Sequence, residues 1–333
     1  MSLPVAPFIS VIIPNHNGEK TIGHCLEAAF ASQYSNFEII VVDDCSSDSS
    51  TSVIEKYPCK LIRLSEHGGA SKARNTGAHN SDGELLFFID SDCLLQPHSI
   101  AKAAAAYQKE GPGVIIGGTY TLLPYDQKFF SIFQSVFIHY SETKNAQHPD
   151  YIATHAMLIA KDLFLKGGCF DENFMPILED VEFSHRLKKK GARLLMVPEI
   201  QVQHIFNFTL TRSIRNGIRK SKYWSIYSIK NRDLLADSGT ASLEFKFNVL
   251  SCFMTTVLLL SAILLKNGAF VLPVLGLFGC NLYLNRNFVR TFLKVRGPVF
   301  AISAVLYYTV IYPFAVGIGT FSGVFSQHSG LRS

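Results

Sequence analysis

Four short apolar runs, each leading into a helical pattern, constrain this chain more than any other feature. They cover residues 8–13 (ending at Pro14), 38–42 (closed by Asp43-Asp44), 60–64, and 85–89 (closed by Asp90-Ser91-Asp92). Runs of this length bounded by turn residues read as buried strands. Between them, residues 21–32 place Ile22, Leu26, Ala29 and Phe30 on one side of a helix, and Ser46-Ser47-Asp48 is an N-cap cluster for a helix running to about Tyr57. Residues 70–80 form a third helix, and Gly83 breaks it before the fourth run. Strands alternating with helices imply a mostly parallel sheet with helices on both faces. In such sheets ligands bind beyond the carboxyl ends of the strands. Asn15-His16-Asn17, Asp43-Asp44 and Asp90-Ser91-Asp92 all fall at such ends, so they converge on one cleft. Two acids one residue apart on a loop can hold a divalent cation, and a cation can hold a diphosphate.

Downstream, the pattern predicts a helix over 97–109, a strand near 114–117, an aromatic helix over 129–140 and a strand within 152–159. Phe129, Phe130, Phe133 and Phe137 lie at helical spacing, which suits either packing on the sheet or a face that meets lipid or a lipid-linked acceptor. A helix from Glu179 to Lys190 starts acidic and ends basic, in keeping with its dipole, and Gly191 stops it.

From about Phe245 onward charge nearly disappears. Segments 247–265, 269–284 and 298–324 approach the roughly twenty apolar residues of a membrane span, the second being short and carrying Pro273 and Asn281. The basic loop expected between the last two, with Arg286, Arg290, Lys294 and Arg296, belongs in the cytoplasm by the positive-inside rule. Three spans then put the N-terminal domain inside and the C-terminus outside. Just before the first span, Arg212, Arg215, Arg219 and Lys222 share a helical face followed by Tyr223, Trp224 and Tyr227, the pattern of a helix lying among lipid headgroups. The layout expected is a soluble domain over 1–210, an interfacial region over 211–240 and a membrane domain over 245–326.

The net charge of +5 is concentrated beside apolar segments, which suits an anionic membrane surface and not nucleic acid. Seven cysteines without CxxC or finger spacing read as small buried residues in a reducing compartment. Met1-Ser2-Leu3-Pro4 has no signal-peptide pattern, so the first domain is expected in the cytoplasm, at the plasma or inner membrane.

Several segments, in order, resemble the family 2 glycosyltransferases of GT-A fold over about residues 8–206. They are Val11-Ile12-Ile13-Pro14-Asn15-His16-Asn17, the run from Ile39 through Asp43-Asp44-Cys45-Ser46-Ser47-Asp48, Ala73-Arg74-Asn75-Thr76-Gly77, Asp90-Ser91-Asp92, Gly167-Gly168-Cys169-Phe170-Asp171-Glu172, and Glu179-Asp180 with Arg186. The resemblance implies an α/β GT-A catalytic domain followed by a helical membrane domain. It implies that Pro14, Asn17, Glu19 and Asp44, with Asp43 beside them, line the base and ribose pocket. Lys72 and Arg74 approach the nucleotide and its diphosphate, Asp90 with Ser91 faces the ribose side, and Asp92 ligates Mg²⁺ or Mn²⁺ with Asp90 as a further candidate ligand and His204 completing the site. Asp180, beside Glu179, is the general base. His16 stands where the family often has Tyr, and Cys45 replaces a common Gly. No Gln-x-x-Arg-Trp follows Glu179-Asp180, so transfer of a single sugar is expected.

The function expected is a membrane-anchored, metal-dependent, inverting transferase of cell-envelope glycan synthesis. It takes a cytoplasmic nucleotide-sugar and serves a lipid or lipid-linked acceptor, with Arg212, Arg215, Arg219 and Trp224 on the acceptor side. Three alternatives stay open: transfer to polyprenyl phosphate with the arginines serving the phosphate, a soluble acceptor with the tail only an anchor, and a nucleotide-sugar-binding scaffold without turnover.

Overall fold

The computed structural model describes residues 6–328. The chain folds as two units, one running to Asp126 and resuming over Glu142–Phe206, the other made of Gln127–Ser141 and the described residues from Asn207 onward.

In the first unit β1 (Ile9–Asn15), α1 (Ile22–Phe30), β2 (Phe37–Asp43), α2 (Ser50–Ile54), β3 (Lys60–Arg63), α3 (Gly69–His79) and β4 (Leu85–Phe88) reproduce the alternation read from the sequence. Next come β5 (Cys93–Leu95), α4 (Ser99–Glu110), β6 (Val114–Tyr120) and, opening in the second unit, α5 (Phe129–Thr143). A 3₁₀ turn at Thr154–Ala156 leads into β7 (Met157–Ala160), α6 (Lys161–Gly167), α7 (Glu179–Lys189) and β8 (Arg193–His204). The eight strands form one sheet in the order β3-β2-β1-β4-β7-β6-β8-β5. Strands β3, β2, β1 and β4 are parallel, β7 runs antiparallel to both β4 and β6, and β5 runs antiparallel to β8. The sheet is thus mixed, which the first four runs alone did not disclose. Residues 152–156 form no strand; the strand begins only at Met157.

Burial explains the central strands. Ile9, Val11, Ile12 and Ile13 of β1 and Leu85 to Phe88 of β4 are at most 1% exposed, as strands covered on both faces must be. Helix α3 lies close over β1, because a Cβ on Gly77 would come within 2.5 Å of Ile12 Cγ2. One core cluster joins Ile12, Phe88, Phe164, Phe170, Phe183 and Leu187, which ties α6 and α7 to the sheet.

The second unit contains α8 (Leu210–Asn231), α9 (Leu243–Leu264), α10 (Val271–Leu284), α11 (Arg286–Leu306) and α12 (Tyr312–His328), with a π-turn at Tyr307–Ile311. Ser213, Gly217, Ser221 and Ser225 recur every fourth residue on α8, a small face on which α12 lies. A Cβ on Gly217 would sit 2.8 Å from the Tyr312 ring, and one on Gly323 would sit 2.5 Å from Lys222 O, so close approach depends on these glycines. Arg212, Arg215 and Arg219 stay exposed on α8. Asn248 donates to Tyr308 O at 2.8 Å, Asn281 to Asn248 Oδ1 at 2.7 Å, and the Tyr308 hydroxyl to Asn285 Oδ1 at 3.0 Å. The accepting carbonyl belongs to the π-turn, where the regular helical ladder is interrupted and a side chain can take the group.

Among the described residues, two helices are long and apolar enough to cross a membrane, Leu243–Leu264 and the kinked run Arg286–Ser326, whereas Gly268–Leu284 is shorter than a full span. Only 11% of the apolar window of the first is buried in the protein, against 50% for the second. Helix α9 therefore turns most of its apolar surface outward, with Leu260, Ile263 and Leu264 over half exposed, and α10 adds Leu272 and Leu275. The basic segment expected as a loop is helical instead. Arg286, Arg290, Lys294 and Arg296 lie on α11, whose Phe288 and Phe292 are buried. That helix breaks at Gly297, which adopts φ 75° just before Pro298.

Candidate active site

A cleft of about 300 Å³ opens at the carboxyl ends of the strands, lined by the ends of β1, β2 and β4, by α3 and by His204. The parallel register sets Asn15 opposite Asp43 at the ends of β1 and β2. Asn15 donates to Asp43 Oδ1 at 2.8 Å, and Ser46 donates to Asp43 through its amide at 3.1 Å and its hydroxyl at 2.6 Å. Asp43 thereby holds the turn that follows β2. Cys45 within that turn adopts φ 59°, so the chain keeps a left-handed turn without glycine there.

Asp44 is 2% exposed and serves the start of α3. Its carboxylate accepts the amides of Gly68 and Gly69 at 2.7 and 2.8 Å, groups that the helix itself leaves unpaired. His67 Nδ1 lies 2.9 Å from Asp44 Oδ2, and its ring centroid is 4.3 Å from that of His16. Two imidazoles and a buried carboxylate thus form one wall of the cleft. His67 escaped the sequence reading, although its place between β3 and α3 puts it at the same rim as the other clusters.

Arg74 projects from α3 and is only 4% exposed. It donates to Asp90 Oδ1 at 2.6 Å and to Glu179 Oε1 at 2.7 Å, joining the end of β4 to the start of α7. Burial works against its charge, but Asp90 and Glu179 more than reverse that and raise its pKa. Burial likewise disfavours charge on Asp90, yet Arg74 holds its carboxyl below the usual carboxylate range. Asp92 is pushed up by burial and by the charge of Asp90, against the pull of His204.

Asp92 Oδ2 and His204 Nε2 are 3.5 Å apart, near enough for one ion to take both. Strand pairing places them there, since Cys93 at the start of β5 pairs with His204 at the end of β8, and Ile205 N donates to Asp92 O at 2.9 Å. The His204 ring stacks on Phe206 at 3.8 Å and meets Tyr120 edge-on at 5.1 Å. A carboxylate and an imidazole facing an open cleft suit Mn²⁺ or a similar cation.

Glu179 and Asp180 open α7, where the helix dipole favours negative charge. Glu179 is engaged by Arg74. Asp180 instead accepts the main-chain amides of Val181 at 2.8 Å and Thr154 at 3.3 Å. Burial, then the charge of Glu179, push its pKa up to about 6.

Of the residues singled out from the sequence, Pro14, Asp44, Arg74, Asp90, Ser91, Asp92 and His204 line the cleft. Asn17, Glu19, Asp43, Lys72, Glu179 and Asp180 do not. Asn17 adopts φ 51° and accepts the Ser47 amide at 2.8 Å, Glu19 donates its amide to Asp48, and Lys72 pairs with Glu66 at 3.0 Å. Arg212, Arg215, Arg219 and Trp224 lie on α8 in the second unit.

Residues 10–160 match the model of glycosyl transferase family 2. Among curated relatives, a poly(ribitol-phosphate) β-N-acetylglucosaminyltransferase, TarS, of Staphylococcus aureus is 34% identical over 114 residues, 32% of this chain and 20% of that one. An uncharacterized glycosyltransferase of Rickettsia typhi is 31% identical over 179 residues, 50% of this chain and 55% of its own length. Glycosyltransferase AglE of Haloferax volcanii is 26% identical over 245 residues, covering 69% of this chain and 78% of that one. The chain thus spans about a fifth and about half of the first two relatives. In fold, the chain is similar to the mannosyltransferase PcManGT from Pyrobaculum calidifontis, solved with GDP-Man and Mn²⁺, at TM-score 0.58 and 15% identity over 99% of this chain and 89% of that one.

Proposed function

Residues 10–160 belong to glycosyl transferase family 2, and on that premise we propose that the protein moves one sugar from a nucleotide-sugar to a lipid or lipid-linked glycan acceptor, with inversion at the anomeric carbon. The observation that carries this reading is the division of labour among four carboxylates around Arg74. Asp90 and Glu179 are fixed by the guanidinium, Asp92 faces His204, and Asp180 accepts main-chain amides with a pKa of about 6.

The nucleotide binds in the cleft between His16, His67 and Asp44 on one side and Arg74, Asp90 and Ser91 on the other. Asp92 and His204 would hold a divalent cation, which would neutralise charge on the departing diphosphate. Arg74 fixes Asp90 and the first turn of α7, so that Asp180 is carried on a rigid element. Asp180 takes the proton from the acceptor hydroxyl as that oxygen attacks C1 from the face opposite the leaving group, which inverts the centre. Its raised pKa makes it a stronger base than an ordinary aspartate while leaving it mostly ionised at pH 7.

The acceptor assignment rests on the outward apolar faces of α9 and α10, a surface of the kind that meets lipid. These helices anchor the protein in the membrane, with the catalytic unit on the cytoplasmic side where nucleotide-sugars are made. The exposed Arg212, Arg215 and Arg219 favour a second reading in which the acceptor carries a phosphate.

The test is transfer from a panel of nucleotide-sugars to extracted lipids by the purified full-length protein, with and without Mn²⁺. Product confined to the lipid fraction and dependent on the cation is the expected result. Transfer to soluble sugars alone, or none with any donor, would sink the proposal.

A further inference from the structure

The proposed metal donors have a third neighbour that the reaction above does not use. Cys93 opens β5 and is the cross-strand partner of His204. Directly opposed residues of an antiparallel pair project on the same face, with Cβ atoms about 4.5–5.5 Å apart. One ligand atom each from Asp92, Cys93 and His204 lies within 4.8 Å of the others. The Cys93 Sγ is 3.8 Å from Asp92 Oδ1 and wholly buried, whereas Asp92 and His204 line the cleft. A sulfur atom therefore lies behind the two groups that face the nucleotide, in a frame made rigid by the β5–β8 pairing and by the rings of Tyr120 and Phe206.

Resting on the reading of Asp92 and His204 as cation donors, we propose that Asp92, Cys93 and His204 form a centre for a thiophilic ion of the zinc class, with one open position toward the cleft. Mg²⁺ and Mn²⁺ are served by oxygen and nitrogen and gain little from sulfur, while Zn²⁺ and Co²⁺ gain strongly from a thiolate. Three mixed protein donors with an open fourth position are the pattern of a reactive zinc site, not a closed structural one. As the metal–sulfur bond forms, the S–H bond breaks and its proton leaves to solvent, with no change of oxidation state. Zinc seated there competes with Mn²⁺ for the same carboxylate and imidazole, so the centre discriminates between ions through one side chain.

Co²⁺ added to the full-length protein in detergent, without nucleotide, tests this. The expected spectrum has visible d–d bands and an intense near-ultraviolet thiolate-to-cobalt band. Cys93→Ser and Cys93→Ala lose the ultraviolet band and keep the d–d bands, and Cys25→Ala, at a buried cysteine of α1 outside the Asp92, Cys93 and His204 cluster, changes neither. Zn²⁺ affinity falls about tenfold or more in Cys93→Ser, with Mn²⁺ affinity nearly unchanged. Visible bands without the ultraviolet band in the unaltered protein, or an ultraviolet band that survives both Cys93 substitutions, would overturn the proposal and leave Asp92 and His204 as donors. No cobalt bands at all in the unaltered protein would overturn both assignments.

Discussion

Replacing Asp180 with Asn keeps the shape of the side chain and removes its ability to take a proton. The Val181 amide, bonded to Oδ1 at 2.8 Å, can still bond to the Asn carbonyl, so α7 keeps its start, while the longer 3.3 Å bond from the Thr154 amide to Oδ2 is lost. A positioned general base contributes about 10²–10⁴ in rate, or roughly 2.7–5.4 kcal/mol of barrier. Single-turnover transfer in Asp180→Asn should fall by that factor, while binding of the nucleoside diphosphate with Mn²⁺ stays unchanged. The pH profile adds a second signature. The active form is the carboxylate, and its pKa is raised from 3.8 to about 6. It is about nine-tenths ionised at pH 7 and about one-tenth at pH 5, so the wild-type rate should drop roughly tenfold between them. An aspartate at the ordinary value would keep the rate nearly flat over that range. The residual rate of Asp180→Asn should lack this limb. A wild-type profile flat from pH 7 to 5, or an Asn variant within tenfold of wild type, would refute the assignment.

Arg74→Met removes the shared partner of Asp90 and Glu179, whose side chains are 32% and 13% exposed, so the loss should stay below the about 3–5 kcal/mol of breaking a fully buried pair. Thermal unfolding at pH 7 should show the loss, and the deficit should shrink at acidic pH as the two carboxylates take up protons. Gly77→Val forces a side chain against Ile12 between α3 and β1, and overpacking of that kind costs about 1–3 kcal/mol, read as a lower urea midpoint for the catalytic unit. Leu250→Lys with Val257→Lys puts two charges on the outward face near the middle of α9, each costing about 2.5–3.5 kcal/mol at mid-membrane, so the protein should leave the carbonate-resistant membrane fraction while still binding nucleotide. Retention in that fraction would show that α9 is not a span.

The first four strands and three helices were legible because each is a local pattern, an apolar run with a polar stop. The same patterns placed Asp44, Asp90 and Asp92 at strand ends, which topology alone turns into a cleft. Strand β8 was not legible. Its register against β6 shifts between Gly117 and Thr119, and Pro198 lies within it, so no clean alternation marks it. Because β8 was missing, so was the pairing of Cys93 with His204, and a buried cysteine looked like mere packing. The basic residues of α11 looked like a loop because charge broke the apolar run, yet Phe288 and Phe292 give that stretch a buried helical face.

By itself, then, the sequence determined the class of sheet-and-helix unit, the acidic clusters at its rim and the apolar character of the later helices, since these follow from local periodicity and strand polarity. Only the tertiary structure decided which carboxylate each cation engages. Arg74 reaches Asp90 and Glu179 because α3 lies over β1 and β2 with Arg74 turned toward the end of β4 and the first turn of α7, a juxtaposition that no local pattern encodes. It also decided that Asp43 secures a turn while Asp44 caps a helix at the cleft, because adjacent residues of a strand project to opposite faces and meet different neighbours.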